Sequence, residues 1–201
     1  MKDLKERVTE ELITRAFAIR RDIWIWIDPK SGFLCIDSPS PSKADEVLKL
    51  LLKSISPFPV ESLQTKISPM SAMTDWLAAD QAPKGFTIDQ DTELRAHTED
   101  KATVRYVRQS LESEDVQRHI TAGKQCIRLA LTWNDHVSFI LTEQCIIKRI
   151  KALDILDEKE TSSGMSQDER LDADFALMSA ELASLISDLV FALGGENTMP
   201  H

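Results

Sequence analysis

The chain has 201 residues, of which 42% are hydrophobic and 28% charged, with 6 glycines and 8 prolines. These values are typical of folded soluble proteins and exclude disordered, collagen-like and membrane-embedded classes. The formal net charge of −9 argues against a uniformly basic nucleic-acid binder, because neutralising phosphates requires clustered lysine and arginine.

The N-terminal half is predicted to contain helices and short strands. Apolar residues recur every three or four positions over residues 3–18, which indicates an amphipathic helix. Two β-branched and aromatic runs flank the turn sequence Asp-Pro-Lys-Ser-Gly, which predicts a β-hairpin over residues 23–36. The remaining expected elements are helices over 42–54 and 71–79 and strands over 60–67, 85–88, 92–96 and 103–108.

The C-terminal half is predicted to form an antiparallel meander with helices on either side. A helix is expected between Ser113 and Gly123, and strands over 124–133, 137–141 and 146–150. Period-2 alternation in the first of these strands assigns Ile127, Leu129, Leu131 and Trp133 to one face and Cys126, Arg128, Ala130 and Thr132 to the other. Steps of three and four predict a long C-terminal helix carrying Phe175, Met178, Leu182, Leu185, Leu189 and Leu193.

The fold class expected from these elements is α+β, with antiparallel sheets and several helices, because no βαβ order is present. We expect one region over residues 1–100, with a helix, a hairpin, a second helix and an irregular part. A second region over 101–201 would hold the meander and its capping helices. The two regions could equally form one continuous unit.

Residues capable of catalysis or metal binding show no recognisable spacing. Cys35, Cys126 and Cys145 are far apart and odd in number, so we expect buried free thiols. The four histidines lack metal-ligand spacing, and Gly194-Gly195 follows a helix instead of opening one. We therefore expect no metal, no cofactor and no enzymatic activity. The charged N-terminus has no signal-peptide core, so we also expect a cytoplasmic protein without a membrane partner.

The charge is strongly segregated along the chain. Residues 101–151 hold nine lysines and arginines against five acids, whereas residues 152–201 hold two against eleven. Charges more than ~8 Å apart are screened at physiological salt, so the acidic helix need not cancel a basic sheet. The candidate DNA-phosphate contacts are Arg15, Arg20, Arg21, Lys101, Arg105, Arg108, Lys124, Arg128, Lys148, Arg149 and Lys151. The alternative is a solvated sheet face whose cations are balanced by nearby acids.

Several segments in order resemble the bacterial recombination-associated protein RdgC family over nearly the whole chain. The strongest likeness runs from Leu171 to Met178 and continues through Glu181-Leu182-Ala183 to Leu193-Gly194-Gly195-Glu196. Similar segments elsewhere are Arg15-Ala16-Phe17, Trp26-Ile27-Asp28, Lys43-Ala44, Gly85-Phe86, and His119 to Lys124 running into Leu129 to Trp133.

The resemblance implies a non-enzymatic, nucleoid-associated protein that binds DNA without sequence preference. Its two subunits would form a ring with a basic inner surface around the duplex and would restrain the RecA recombinase. Phe17 would lie at one subunit contact, and Arg108 and Gln109 would lie at the other, where the family has Lys-Gln. The chain would correspond to the C-terminal two thirds of the family, without its N-terminal region. A portion of a longer protein and a naturally short relative both fit this correspondence.

A second interpretation is a protein-interaction or dimerisation module that does not itself bind DNA. In that case the acidic C-terminal helix or the apolar hairpin would form the contact surface.

Overall fold

A computed structural model describes residues 2–17, 20, 22–38, 40–97, 101–108, 114–153 and 166–197. The helices in this part of the chain are α1 (Lys2–Ile13), α2 (Pro41–Ser54), α3 (Pro69–Ala79), α4 (Glu114–Thr121) and α5 (Gln167–Ala192). The strands are β1 (Ile25–Asp28), β2 (Phe33–Ile36), β3 (Phe86–Ala96), β4 (Thr103–Tyr106), β5 (Lys124–Trp133), β6 (Val137–Thr142) and β7 (Ile147–Ala152). Antiparallel sheets combined with helices confirm the predicted α+β class.

Contacts along the chain define two compact units. One comprises Met1–Ile27 and Phe33–Phe58, and the other comprises Asp28–Gly32 and Pro59–His201. The contacts thus divide the chain near residue 58, whereas the sequence placed a division near residue 100. That position lies between β3 and β4, which pair with each other in one sheet.

The first unit contains α1, the paired strands β1 and β2, and α2. Helix α1 ends at Ile13 rather than near residue 18. In the β1–β2 turn the Asp28 carboxylate accepts hydrogen bonds from Ser31 Oγ at 2.5 Å and the Lys30 N–H at 2.9 Å. These bonds favour the ionised carboxylate, so they lower the pKa of Asp28. Asp28 therefore fixes the turn that the sequence indicated.

The second unit is organised around a five-stranded antiparallel sheet in the order β4-β3-β5-β6-β7. Its hydrophobic core lies on one face of this sheet, where α3, α4 and α5 supply buried side chains. Leu129, Leu131 and Trp133 of the central strand β5 are at most 4% exposed. The indole N–H of Trp133 donates to Asp188 Oδ2 of α5 at 2.9 Å, which connects the helix to the middle of the sheet.

A β-bulge at the start of β5 changes the predicted faces of this strand. Glu93 of β3 opposes Arg128 and Leu94 opposes Cys126, so Ile127 is an extra residue. Cys126 therefore lies in the core with Leu129, and the prediction that it shares a face with Arg128 was wrong. The bulge also frees the Cys126 N–H from the ladder, and this group donates to Thr74 Oγ1 of α3 at 2.9 Å.

Two further strand predictions differ from the structure. The strand expected over 60–67 is absent from this described segment, where Thr65 makes only an isolated bridge to Glu196. The strands expected over 85–88 and 92–96 are one strand, β3, because an irregularity between Ile88 and Thr92 keeps both residues paired with β5. Irregular pairing of this kind does not change the fold class, but strict alternation of apolar and polar residues cannot predict it.

Helix α5 has a different environment in its two halves. Leu185, Leu189 and the following Leu193 are buried in the core, whereas Leu171 and Phe175 are 58% and 57% exposed. The apolar stripe predicted from the sequence is therefore covered only at its C-terminal end. By length and composition alone, residues 168–192 would suffice to cross a membrane. Only 17% of the apolar window is buried, at Leu185, Leu189 and Val190 near the C-terminal end of the helix.

The capping of α5 explains where this helix begins. Ser166 Oγ accepts from the Glu169 N–H, and the Glu169 carboxylate accepts from the Ser166 N–H at 2.8 Å, which together form a capping box. These hydrogen bonds lower the pKa of Glu169. The helix start is thus specified locally, although the side chains of its first turns are exposed.

Replacing a central core leucine should destabilise the second unit. Leu129→Ala removes a side chain with 0% exposure, so we expect a loss of about 2–5 kcal/mol in the free energy of unfolding, measured by urea denaturation. The matched control is Leu177→Ala in α5, which is 43% exposed and should cost less than about 1 kcal/mol. Equal losses in the two variants would contradict the assigned core.

The buried thiol of Cys126 should be inert in the native protein. Burial raises the pKa of this thiol from 9.0 to about 12. In the folded protein the thiol therefore stays protonated at any pH below 9.0, its pKa in the unfolded chain. Its contribution to stability is therefore present below pH 9 and is lost only as the pH rises towards 12. At roughly pH 8, iodoacetamide should modify Cys126 only in denaturant, as followed by peptide mass spectrometry. Modification of the native protein at the denatured rate would contradict this assignment.

Candidate nucleic-acid interface

The face of the five-stranded sheet turned away from α3, α4 and α5 is called the outer face. Directly paired residues of neighbouring strands point to the same side of a sheet. Arg105 of β4, Glu93 of β3 and Arg128 of β5 are paired in one row, and they alternate with core residues. The row therefore places two basic side chains on the outer face, one on each side of a carboxylate.

Two lysines of β7 reach the same face because of a second bulge. Lys148 opposes Ile140 and Lys151 opposes Ser138, so two residues of β7 lie against Phe139 alone. In a regular strand, residues three apart point to opposite faces. The extra residue restores Lys151 to the outer face, and the backbone accommodates it with a positive φ of 54° at Arg149.

Acidic side chains balance part of this positive charge. Arg128 Nη1 lies 3.5 Å from Glu93 Oε2, and both side chains are less than one-third exposed. Arg95 is the next outer-face residue of β3 after Glu93, and it forms an ion pair with Glu143. Arg105, Lys148 and Lys151 make no ion pair among the described residues. The outer face therefore combines two arginines paired with carboxylates and three cations without an ion pair among the described residues. It also carries the Asp89 carboxylate, which accepts a hydrogen bond from Thr132 Oγ1 at 2.9 Å.

Lys124 lies away from the outer face, and strand pairing does not place Arg108 or Arg149 on it. Lys124 opposes Ala96, and its Nζ is 2.9 Å from His119 Nδ1 of α4, so this lysine lies on the helical side of the sheet. Arg108 follows β4 with a positive φ of 53°. Its backbone N–H donates to Asp91 Oδ1 at 2.9 Å. Arg149 occupies the bulge position of β7.

The remaining predicted residues are exposed or lie outside the described part. Phe17 is 97% exposed and Arg15 is also exposed. Arg20 is exposed and forms a surface ion pair with Asp22 at 3.1 Å. Arg21 and Gln109, predicted respectively as a DNA contact and a subunit contact, lie outside the described residues. Lys101 is exposed at the end of the β3–β4 connection, with a positive φ of 44°.

Arg95 is a basic outer-face residue that the sequence reasoning missed. Arg95 precedes the basic segment that begins at residue 101, so it was not among the lysines and arginines counted there. The alternation of Thr92, Glu93, Leu94 and Arg95 was the available signal, because it puts both charged residues on one face of β3. Glu93 and Glu143 were counted as acids, but only the strand register shows that they lie beside arginines.

The side chains of the described residues offer little for metal-dependent or thiol chemistry. No group of three or more His, Cys, Asp or Glu side chains in that part is arranged to hold a metal ion. Cys35, Cys126 and Cys145 form no disulfide, and Cys126 is buried whereas Cys35 and Cys145 are half-buried. Burial raises the pKa of Cys145 as well, which disfavours the reactive thiolate.

Comparison with known proteins gives a consistent result over almost the full chain. The family model described as "Putative exonuclease, RdgC" matches residues 1–196. Proteins named "Recombination-associated protein RdgC" are 57% identical in Herminiimonas arsenicoxydans, 54% in Cupriavidus necator and 52% in Bordetella pertussis, each over 196 residues. These alignments cover 98% of this chain and 65–66% of the relatives, so the chain spans about two thirds of their length. The chain belongs to the RdgC family.

Proposed function

We propose that the chain binds duplex DNA through the outer face of its five-stranded sheet, by contacts to phosphates and without reading the bases. The observation that carries this proposal is the position of Arg105, Lys148 and Lys151. Strand register brings these exposed or half-exposed cations, which are far apart in sequence, to one face of a rigid sheet. Clustered cations of this kind favour phosphates because binding releases condensed counterions.

The dimensions of the sheet suit this role. Neighbouring strands lie about 4.8 Å apart, so Arg105 on β4 and Lys148 on β7, at the two edges, are separated by roughly 19 Å. The major groove is about 12 Å wide, so a surface of this span can meet phosphates on both sides of it. Arginines held by Glu93 and Glu143 would add little net attraction, which limits the contacts to a few phosphates.

The family membership supports a role in recombination. We add to it a specific mode of action. The chain would act within a homodimer that surrounds duplex DNA in the nucleoid of the cytoplasm and restrains RecA by occupying the DNA. This role is non-enzymatic, although the family model carries an exonuclease in its description. Phe17 supports the dimer, because a 97% exposed phenylalanine gains from burial against a second subunit.

A second candidate function is a protein-interaction or dimerisation module without DNA binding of its own. The observation that favours it is the apolar surface of two helices. Leu4, Leu12 and Ile13 of α1 are more than 60% exposed, and Leu171 and Phe175 of α5 are more than half exposed. Exposed apolar stripes on helices are typical of partner contacts.

Removing the two lysines of β7 tests the DNA-binding proposal. For Lys148→Gln/Lys151→Gln we expect duplex affinity to fall roughly 10- to 30-fold near physiological salt, from about 0.9 released counterions per contact. The slope of log affinity against log salt between ~50 and ~200 mM should become shallower by about 1.8. Fluorescence anisotropy with two unrelated duplex sequences measures both quantities, and the loss should be the same for each.

The matched control is Lys66→Gln/Lys84→Gln, which removes the same charge from two exposed lysines outside the strands. This control should keep most of the affinity. Equal affinity of the wild type and the β7 variant would contradict the outer-face contact, and absence of any complex at low salt would favour the interaction module. Shortening of the duplex in the presence of Mg²⁺ would contradict the non-enzymatic role.

Truncating Phe17 tests the proposed subunit contact. Phe17→Ala should shift the protein from dimer to monomer at micromolar concentration, with an unchanged unfolding transition because the side chain is 97% exposed. Light scattering coupled to gel filtration measures the mass. The control is Phe191→Ala, an 84% exposed phenylalanine of α5, which should leave the dimer intact. A Phe17 variant whose dimer dissociates at the same concentration as the wild type would show that this residue does not contribute to a subunit contact.

A further inference from the structure

The β3–β4 end of the second unit contains a small cavity lined by both polar and apolar side chains. Its volume is about 160 Å³, and the lining includes Arg95, His97, Lys101, Gln125, Ile127 and Met70. This volume is several times the roughly 30 Å³ of one water molecule and well below the ~300 Å³ at which drug-sized ligand sites begin. A small ligand or one functional group of a larger molecule therefore fits.

The bulge in β5 and the end of β3 bring the cavity residues together. Arg95 and Gln125 are directly paired across β3 and β5, so their side chains share a face. Ile127 is the extra residue of the bulge, next to them along β5. His97 and Lys101 stand on either side of the β3–β4 connection, which is closed by a hydrogen bond from the Ala96 N–H to the Ala102 carbonyl at 3.0 Å.

The chemistry of the lining favours an anion. The guanidinium of Arg95, the ammonium of Lys101 and the imidazole of His97 can all donate hydrogen bonds. None of the described residues that line the cavity is acidic. Glu143 pairs with Arg95 Nη2 from outside this lining, and a guanidinium has further N–H donors in its planar fork.

Gln125 provides an independent sign of a missing polar partner. Its Oε1 is buried, and it has no hydrogen-bond partner among the described residues. Buried polar atoms are usually paired, so such an atom calls for an explanation. The two ends of a side-chain amide are nearly alike in shape, and rotation by 180° would present the amide N–H₂ to the same position as a donor. A ligand with oxygen acceptors and a hydroxyl satisfies either orientation.

We propose that this cavity, between Arg95, Lys101 and Gln125, is a binding site for a phosphate group. A tetrahedral phosphate offers several acceptor oxygens to the arginine fork and the ammonium, and its protonated oxygen can donate to Gln125. Two sources supply this chemistry: free phosphate in solution and the terminal phosphate of a nucleic acid strand. The site is distinct from the row of Arg105, Glu93 and Arg128, and its occupation does not depend on the proposed DNA binding.

Inorganic phosphate is the first probe. Titration into ¹⁵N-labelled protein at constant ionic strength should give saturable NMR shifts at Arg95, Lys101 and the Gln125 side-chain amide. Arg95→Gln and Lys101→Asn should each weaken this binding about tenfold, the effect of one charge-assisted hydrogen bond. Asparagine suits position 101 because it adopts positive φ more readily than most residues. Residues 98–100 lie outside the described part, and no substitution is made there.

The control variant is Lys84→Gln, which removes an exposed cation outside the cavity and outside the proposed DNA contacts and should leave phosphate binding unchanged. Thermal unfolding of each variant verifies the fold, and Lys101→Asn carries the test if loss of the Arg95–Glu143 pair destabilises the protein. Absence of saturable shifts in the wild type, or binding of phosphate by both cavity variants with the affinity of the wild type, would overturn the proposal.

A matched pair of DNA ligands identifies the source of the phosphate. One duplex is prepared with 5′-phosphate and with 5′-hydroxyl ends. Tighter binding of the phosphorylated form, lost in Lys101→Asn but kept in Lys84→Gln, assigns the site to nucleic acid ends. Equal binding of the two forms, together with saturable shifts from inorganic phosphate, assigns it to free phosphate. Both outcomes uphold the cavity as a phosphate site.

Discussion

Burial of one face of β5 is the constraint on which the second unit depends. This strand is central in the sheet, and its Leu129, Leu131 and Trp133 meet side chains of three helices on one side. The hydrogen bond from the indole of Trp133 to Asp188 then connects α5 to the sheet. The opposite face carries the charged residues of the sheet, around the buried side chains of Ala130 and Ile140. The positions of the cations follow from where the core must be.

Bulges decide which side chains belong to each face. Without the extra residue at Ile127, Cys126 would leave the core and its N–H would not reach Thr74. Without the extra residue of β7, Lys148 and Lys151 would lie on opposite sides of the sheet. In both strands a local irregularity therefore reconciles a fixed sequence with the requirement that one face be apolar. The same irregularity in β5 also shapes the cavity beside Arg95 and Gln125.

The sequence was sufficient for most of the elements, apart from the strand expected over 60–67 and the division of β3, because the signals for elements are local. The period of apolar residues located α5, the turn at Asp28 located the hairpin, and alternation located β5 within its observed bounds. Side-chain neighbours across strands are not local. The sequence predicted Arg105 and Arg128 as basic contacts, but the intervening carboxylate of Glu93 appears only through register. The alternation of β3 indicates the face of Arg95, but its ion pair with Glu143 and its position opposite Gln125 involve residues thirty or more positions away.

The bulge at Arg149 has a consequence for how related sequences should be compared. Loss of Ile150 from β7 would change no charge by itself, yet it would turn Lys151 towards the hydrophobic side and shift the pairing with β6. A substitution that keeps strand length would leave the neighbouring lysine in place. Insertions and deletions in β7 should therefore disturb this surface more than substitutions do. Columns of aligned basic residues describe a shared surface only where the relatives also share this insertion.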